Sequence, residues 1–233
     1  MSAYAFPLYA VAHLAIFIWC VSLVRLHHAP GAGIVAMISA GLVYDNLIIS
    51  LGTTIGSGTL LQLLSWPRFA MHAMLVPFMM IAVVQFASAA GVSWAKDRRW
   101  LITVWVLVFA MIAYGVADHL VGLETVPACF DGVLRYTSNL HASHFCTPDQ
   151  QQIMGAGPPV PAIVGNLLTL IVGFALWRRA GWPWLVLGSL VMFVAAAVPV
   201  SGFGLAPGNG GEVLLQTANA ATAWRFCRRI QPA

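Results

Sequence analysis

The sequence predicts an all-α membrane protein with seven transmembrane helices, an N-terminus outside the cell and a C-terminus in the cytoplasm. Two observations carry this prediction: apolar runs long enough to cross a bilayer, and basic residues that gather in clusters between those runs. Of the 233 residues, 60% are hydrophobic and only 8% are charged, which leaves little chain for a water-soluble domain. We therefore predict a single domain over residues 1–233.

The apolar runs are separated by charged residues or by glycine and proline. A helix needs about 20 residues, at a rise of ~1.5 Å each, to cross the hydrocarbon core. The first run lacks a small-residue cleavage site, so we expect an uncleaved helix and not a signal peptide. The predicted spans are Pro7 to Val24, Gly33 to Thr53, Pro67 to Ser88, Trp100 to Leu123, Pro161 to Trp177, Trp184 to Phe203 and Glu212 to Phe226.

Basic residues follow the first, third, fifth and seventh predicted spans. Because Lys and Arg in short loops are retained in the cytoplasm, these four ends should face the cytoplasm. Six of the seven acidic residues lie on the stretches between the clusters, in agreement with an outward N-terminus. Nine of the eleven basic residues form the clusters: Arg25; Lys96, Arg98 and Arg99; Arg178 and Arg179; Arg225, Arg228 and Arg229.

One long connection, from Glu124 to about Val160, joins spans four and five on the predicted outer side. It carries Cys129 and Cys146, and two cysteines in an exported loop predict a disulfide, which would stabilise the loop by about 3 kcal/mol. His141 and His144 lie in the same loop. A histidine pair without a third ligand nearby is a weak metal signal, so we predict no metal and no cofactor and leave open whether this pair binds one.

Asp45 is the charged residue placed deepest in a predicted span. It lies about 12 residues into span two, ~18 Å from the inner surface, with the polar residues Tyr44 and Asn46 beside it. A charge within a span costs roughly 2.5 to 3.5 kcal/mol even on the more lenient insertion scale. Asp45 therefore requires either a cationic partner, for which Arg68, His72 and His119 are candidates, or a bound proton.

Span three brings a cationic side chain and an imidazole to one helix face. Arg68 and His72 are four residues apart, which places the imidazole ~6 Å deeper in the membrane. We expect Ser65 to be the N-cap of this helix and Pro67 to lie in its first turn. Arg68 reaching outward to the headgroups, and His72 as a packing residue, are the alternatives left open.

Spans four and seven add further polar groups near the outer side. Asp118 and His119 are adjacent, thus about 100° apart around a helix, so only one of them should face the bundle interior. Glu212 begins span seven, and Gln216 and Asn219 continue the same face, although hydrogen bonding between helices explains that stripe equally well.

Most of the spans thus place a polar group in their outer half, where His13 and Asn166 also lie, while the inner half shows almost none beyond Gln85. This segregation predicts a polar cavity inside the bundle, open to the outer aqueous face or the outer leaflet. Ionisable residues within a membrane mark a functional site by default.

An enzyme that acts on an apolar, lipid-like substrate by acid–base chemistry is our first hypothesis. Asp45 would be the acid, Glu212 or His72 the base, and Arg68 would hold an anionic headgroup or tune Asp45. Asp118 is a further catalytic candidate. The candidate substrate-binding residues are Tyr44, Asn46, Arg68, His119, Gln216 and Asn219.

Seven spans with one acid in span two and another in span seven resemble the layout of the integral membrane terpene cyclases of meroterpenoid pathways. The resemblance covers the layout of the whole chain and no motif. In that family the acids start cyclisation by protonating an alkene or epoxide, and Asp45 and Glu212 occupy the matching helices. The resemblance implies an isoprenoid substrate and a reaction of the cyclase or isomerase type.

Three other classes of membrane protein are less consistent with the sequence. Alkaline ceramidases share seven spans and an outward N-terminus, but span seven here offers Glu212, Gln216 and Asn219 in place of a histidine pair. A microbial rhodopsin is excluded because span seven has no lysine. A transporter or ligand-binding protein, with Asp45 and Arg68 in its site, remains the alternative, although the chain shows no inverted repeat.

The expected partners are an apolar or lipid-like small molecule and membrane lipids, and no nucleic acid. We expect a multi-pass protein of a bacterial cytoplasmic membrane. The sequence predicts no oligomeric state.

Overall fold

The computed structural model describes residues 2–130, 132–155, 157–198 and 206–227, and this part of the chain is mostly helical. It contains eight α-helices. They are α1 (Ser2–His27), α2 (Ala32–Ile55), α3 (Thr59–Leu75), α4 (Met79–Ala89), α5 (Arg98–His119), α6 (Val160–Ala180), α7 (Trp184–Ala197) and α8 (Pro207–Arg225).

Five of the described helical segments are long and apolar enough to cross a membrane, and they coincide with the first five predicted spans. The third joins α3 to α4 through a single 3₁₀ turn, Val76–Phe78, that contains Pro77. α7 and α8 occupy the positions of predicted spans six and seven, but α7 has only 14 residues. The end of predicted span six, residues 199–203, lies outside the described residues. The apolar helices indicate a membrane-embedded protein.

α3 begins earlier than the sequence predicts. It starts at Thr59 with Gly58 at the N-cap, so the prediction of Ser65 as N-cap was wrong. Ser65 lies inside the helix, where its hydroxyl donates to the carbonyl oxygen of Leu61 at 2.8 Å. Pro67 lacks an N–H and therefore gives up one helical hydrogen bond, an interruption that helices within membranes tolerate.

The end of the bundle near the basic clusters is filled with apolar side chains. α1 packs along α2, α7 packs along α8, and α8 also contacts α1 and α2. Met80, Phe86 and Leu176 are fully buried in the core that results. Gln85 accepts a hydrogen bond from the N–H of Gly31 at 2.8 Å, which accounts for the polar side chain in this half.

The long connection between α5 and α6, for which the sequence predicts only a loop, folds into two small antiparallel sheets. They are built from β1 (Val126–Phe130) with β2 (Val133–Thr137) and β3 (Asn139–Leu140) with β4 (Ile153–Met154). The predicted disulfide between Cys129 and Cys146 is confirmed, with 4.9 Å between their Cα atoms.

β2 is attached to the outer end of α2. The Thr53 hydroxyl donates to the carbonyl oxygen of Gly132 and accepts from the N–H of Leu134, both at 3.0 Å. The Tyr136 hydroxyl accepts from the N–H of Gly58 at 3.1 Å. Gly52 permits this approach, because a Cβ atom there would overlap the Leu134 carbonyl oxygen. The β1–β2 hairpin therefore packs against the outer end of the helical bundle.

We predict that Gly52→Ala lowers the free energy of unfolding by about 1 to 3 kcal/mol, because the added methyl group pushes β2 away from α2. Gly33→Ala is the matched control on the same helix, since its new Cβ would meet only the Val24 side chain at 3.8 Å. Thermal unfolding in detergent measures both variants. Equal stability of the two would contradict the close approach at Gly52.

Candidate functional site

Five helices and β2 surround a cavity of about 300 Å³ at the end of the bundle opposite the basic clusters, which we call the polar chamber. α2, α3, α5, α6 and α8 each contribute at least one lining residue. Side chains from distant parts of the sequence meet here because the polar residues of each helix lie at similar depth. The polar residues that line it are Asp45, Arg68, His72, His119, Arg135, Asn209 and Glu212.

A buried ion pair lies at the wall of this chamber. The Nε of Arg68 donates to Oδ1 of Asp45 at 2.8 Å, and the two side chains are only 9% and 6% exposed. The Nη1 of Arg68 donates to the carbonyl oxygen of Tyr136 at 3.4 Å, which links the pair to the hairpin. Arg68 is thus turned into the bundle and not out to the headgroups.

His72 lies beside this pair and lines the chamber. Its Nε2 is 3.9 Å from the same Oδ1 of Asp45, and its side chain is 41% exposed. At this separation the carboxylate does not accept a hydrogen bond from the imidazole. His72 is therefore placed to take up a proton from a molecule in the chamber.

Glu212 is the second carboxyl group of the chamber, and its surroundings differ from those of Asp45. It lies in the first turns of α8, and its Oε2 is buried without a hydrogen-bond partner in the described residues. The ion pairs of that part of the chain do not include it. A buried carboxylate without a partner carries a high desolvation cost, so Glu212 can use this oxygen to give or receive a proton.

A smaller cavity of about 80 Å³, the apolar chamber, adjoins the polar chamber. His72, Ala162 and Glu212 line both cavities and so mark the junction between them. Gln216 and Asn166 are polar residues of its wall. The rest of its wall is formed mainly by apolar side chains such as Leu42 and Met192.

Some predicted residues have structural contacts instead of lining the polar chamber. The Tyr44 hydroxyl donates to the carbonyl oxygen of Leu64 at 2.9 Å, which ties α2 to α3. Asn46 accepts a hydrogen bond from Asn209 at 3.2 Å and so holds the start of α8. Asn219 is buried and donates to the carbonyl oxygen of Leu215 within its own helix at 3.0 Å.

Asp118 and His119, the last two residues of α5, differ in their relation to the polar chamber. His119 lines the polar chamber, whereas Asp118 is not among its lining residues. The His119 Nε2 and the Asp118 Oδ2 are 3.6 Å apart. Asp118 can therefore act on the chamber through its neighbour.

His141 and His144 are not among the lining residues of the polar chamber. The rings of His141 and His144 are 6.3 Å apart. Across the described ranges, no group of three histidine, cysteine, aspartate or glutamate side chains is arranged to bind a metal.

Sequence reasoning missed Arg135, which β2 carries into the chamber. Its Nε is buried and has no hydrogen-bond partner among the described residues, and its guanidinium lies over the Phe130 ring at 5.7 Å. Burial and, next, the charge of Arg68 lower the pKa of Arg135, whereas Asp45 raises it. A signal was present, because Arg68 and Arg135 are the two basic residues outside the four clusters.

The sequence places His13 at a depth in the membrane similar to that of the other polar residues and predicts no functional role for it. It is fully buried in α1, and neither ring nitrogen has a partner in the described part of the chain.

No known protein family, curated protein or solved structure matches this chain. The candidate site therefore depends on its own geometry for a functional interpretation.

We predict a strong coupling between Asp45 and Arg68 in a double-mutant cycle. Either Asp45→Leu or Arg68→Met alone leaves a buried charge without its partner and should destabilise the protein by about 3 to 5 kcal/mol. The double variant should lose clearly less than the sum of the two single variants. Thermal unfolding in detergent measures all four proteins, and additive losses would contradict a direct ion pair.

Proposed function

We propose that this protein is an integral membrane enzyme that transfers protons to and from an apolar, lipid-like or isoprenoid substrate, in a reaction of the cyclase or isomerase type. The observation that carries the proposal is the junction of the two chambers. There Glu212, whose Oε2 is buried without a hydrogen-bond partner among the described residues, and the accessible imidazole of His72 line the same space. Such a pair supplies a donor and an acceptor for one substrate.

The proposed reaction conserves atoms and charge. Glu212 gives its proton to one carbon of an alkene, whose π electrons form the new C–H bond and leave a carbocation. After rearrangement or ring closure, His72 removes a proton from a neighbouring carbon, and those C–H electrons form a new double bond. The product is an isomer of the substrate, and the proton returns from His72 to Glu212 before the next turnover.

Asp45 has a supporting role in this proposal. Because it already forms an ion pair with Arg68, we assign the donor role to Glu212 instead. Its carboxylate lies 3.9 Å from His72 and would stabilise the imidazolium formed when His72 accepts a proton. Apolar walls around the junction exclude the water that would otherwise quench a carbocation.

A proton-coupled transporter is the alternative. It requires a path through the bundle, but the described residues at the basic end include fully buried Met80, Phe86 and Leu176. This packing favours a cavity accessible from one end over a passage between two sides.

We also propose seven spans, with the N-terminus outside and the C-terminus in the cytoplasm of a bacterial inner membrane. The basic clusters support this orientation. The disulfide between Cys129 and Cys146 supports it independently, because disulfides persist in oxidising compartments such as the periplasm. Both observations support a position of the hairpin and the polar chamber on the outer side.

Reporter fusions test the orientation. A fluorescent protein fused to the C-terminus should fold in the cytoplasm and fluoresce, whereas alkaline phosphatase inserted after Gly155 should be active because the enzyme requires an oxidising compartment. Swapping the two reporters provides the control and should silence both. Alkaline phosphatase activity at the C-terminus would overturn the seven-span topology.

Deuterium transfer tests the proposed chemistry. The purified protein would be incubated in D₂O with phosphatidylcholine vesicles containing farnesol, farnesoic acid or farnesyl phosphate, and mass spectrometry would measure deuterium in C–H positions. We expect Glu212→Gln and His72→Gln each to lower the rate of incorporation by about 100-fold or more.

Glu124→Gln is the matched control, because Glu124 is an exposed carboxylate of the outer connection. It should keep the rate of the unaltered protein. A Glu212→Gln variant that is as active as this control would contradict the proposal. Movement of unlabelled probe or of protons across the vesicle membrane, without labelling, would favour the transporter.

A further inference from the structure

The polar and apolar chambers follow one another along the bundle axis. On each helix that lines both, the residues that line the apolar chamber extend about one to two turns further toward the basic end. The apolar chamber extends along α6 from Ala162 to Thr169. At a rise of ~1.5 Å per residue, this part of its wall is about 10 Å long. The paired residues, polar chamber first, are Asp45 and Leu42 on α2, Arg68 and His72 on α3, Pro161 and Asn166 on α6, and Asn209 and Gln216 on α8.

With Glu212 protonated, as the proposed function requires, the lining of the polar chamber carries two positive charges, on Arg68 and Arg135, and one negative charge, on Asp45. Asp45 is engaged by Arg68, and no described carboxylate forms an ion pair with Arg135. The Nε of Arg135 is buried without a hydrogen-bond partner in the same part of the chain. A buried guanidinium N–H without an acceptor is costly unless an anion completes its hydrogen bonding.

The position of Arg135 is set by its two neighbours in β2. Leu134 is hydrogen-bonded to Thr53 at the end of α2, and Tyr136 is hydrogen-bonded to Gly58 before α3. The carbonyl oxygen of Tyr136 also accepts from Arg68. The hairpin therefore holds the two guanidinium groups at one wall of the chamber and presents them to whatever enters it.

We propose that the substrate is an amphipathic anion, with a carboxylate or phosphate head bound by Arg68 and Arg135 and an apolar chain that passes His72 and Glu212 into the apolar chamber. This inference rests on the proposed function for the protonated state of Glu212 and for the position of the reacting carbons at the junction. Arg135 is the specificity-determining residue, because its guanidinium has donors that no described residue uses.

Equilibrium binding with four probes tests the substrate class. The full-length protein in detergent would be titrated with farnesyl phosphate, farnesoic acid, farnesol and inorganic phosphate. We expect the two anionic lipids to bind at least about tenfold more tightly than farnesol, and inorganic phosphate to bind far more weakly than farnesyl phosphate. Farnesol that binds as tightly as the anions, or phosphate that binds as tightly as its farnesyl ester, would overturn the proposal.

Variants of the basic residues then test the role of Arg135. Arg135→Gln should abolish the preference for an anionic head and leave the affinity for farnesol unchanged, which also shows that the variant is folded. Arg135→Lys should retain most of the preference. Arg98→Gln, an exposed arginine of the second basic cluster, is the matched control and should behave as the unaltered protein. A preference that survives Arg135→Gln would overturn its assignment.

The Glu212→Gln variant separates this inference from the proposed enzyme function. It should keep the preference for anionic heads, because Glu212 forms no ion pair with either arginine in the described residues. If the unaltered protein prefers anionic heads but never transfers deuterium, the proposed enzyme function is contradicted and the substrate class is not. Deuterium transfer to farnesol without any anion preference would contradict the substrate class alone.

Discussion

The buried ion pair between Asp45 and Arg68 is the interaction on which the outer half of the molecule depends. It joins α2 to α3, and through the Tyr136 carbonyl it also reaches the hairpin. Two charges taken out of water are costly, and their attraction offsets that cost only in good geometry with further hydrogen bonds. This requirement favours one arrangement of two helices and a strand, and that arrangement places His72 and Arg135 around the same cavity.

The two ends of the bundle differ because their side chains differ. At the basic end, apolar side chains pack without polar interruption, and the one glutamine accepts a hydrogen bond from a helix start. At the opposite end, polar side chains from several helices line a cavity instead of a packed core. The disulfide-linked hairpin covers this end of the bundle. A rigid end supporting an open one suits a site that must hold reactive groups in fixed positions.

Much of this architecture could be predicted from local sequence. Apolar runs predicted seven spans, and the structure shows helices long and apolar enough to cross a membrane at five of them. Two cysteines in a loop that the sequence predicts to be exported indicated their disulfide. The polar residues of the chamber could be identified in the sequence, because a charged residue inside an apolar run is energetically costly and therefore rare. Of those singled out in the sequence, the structure gathers five around the polar chamber: Asp45, Arg68, His72, His119 and Glu212.

By itself, then, the sequence determined the apolar helices, the segregation of charge and the presence of ionisable groups within the spans, since each follows from the transfer of neighbouring residues between water and lipid. Only the tertiary structure decided that Arg68 is the partner of Asp45, that α3 begins at Thr59, and that Arg135 enters the chamber. Pairing and docking depend on contacts between distant segments. The sequence of β2 does not indicate which helices the strand packs against, so the position of Arg135 could not be predicted from it.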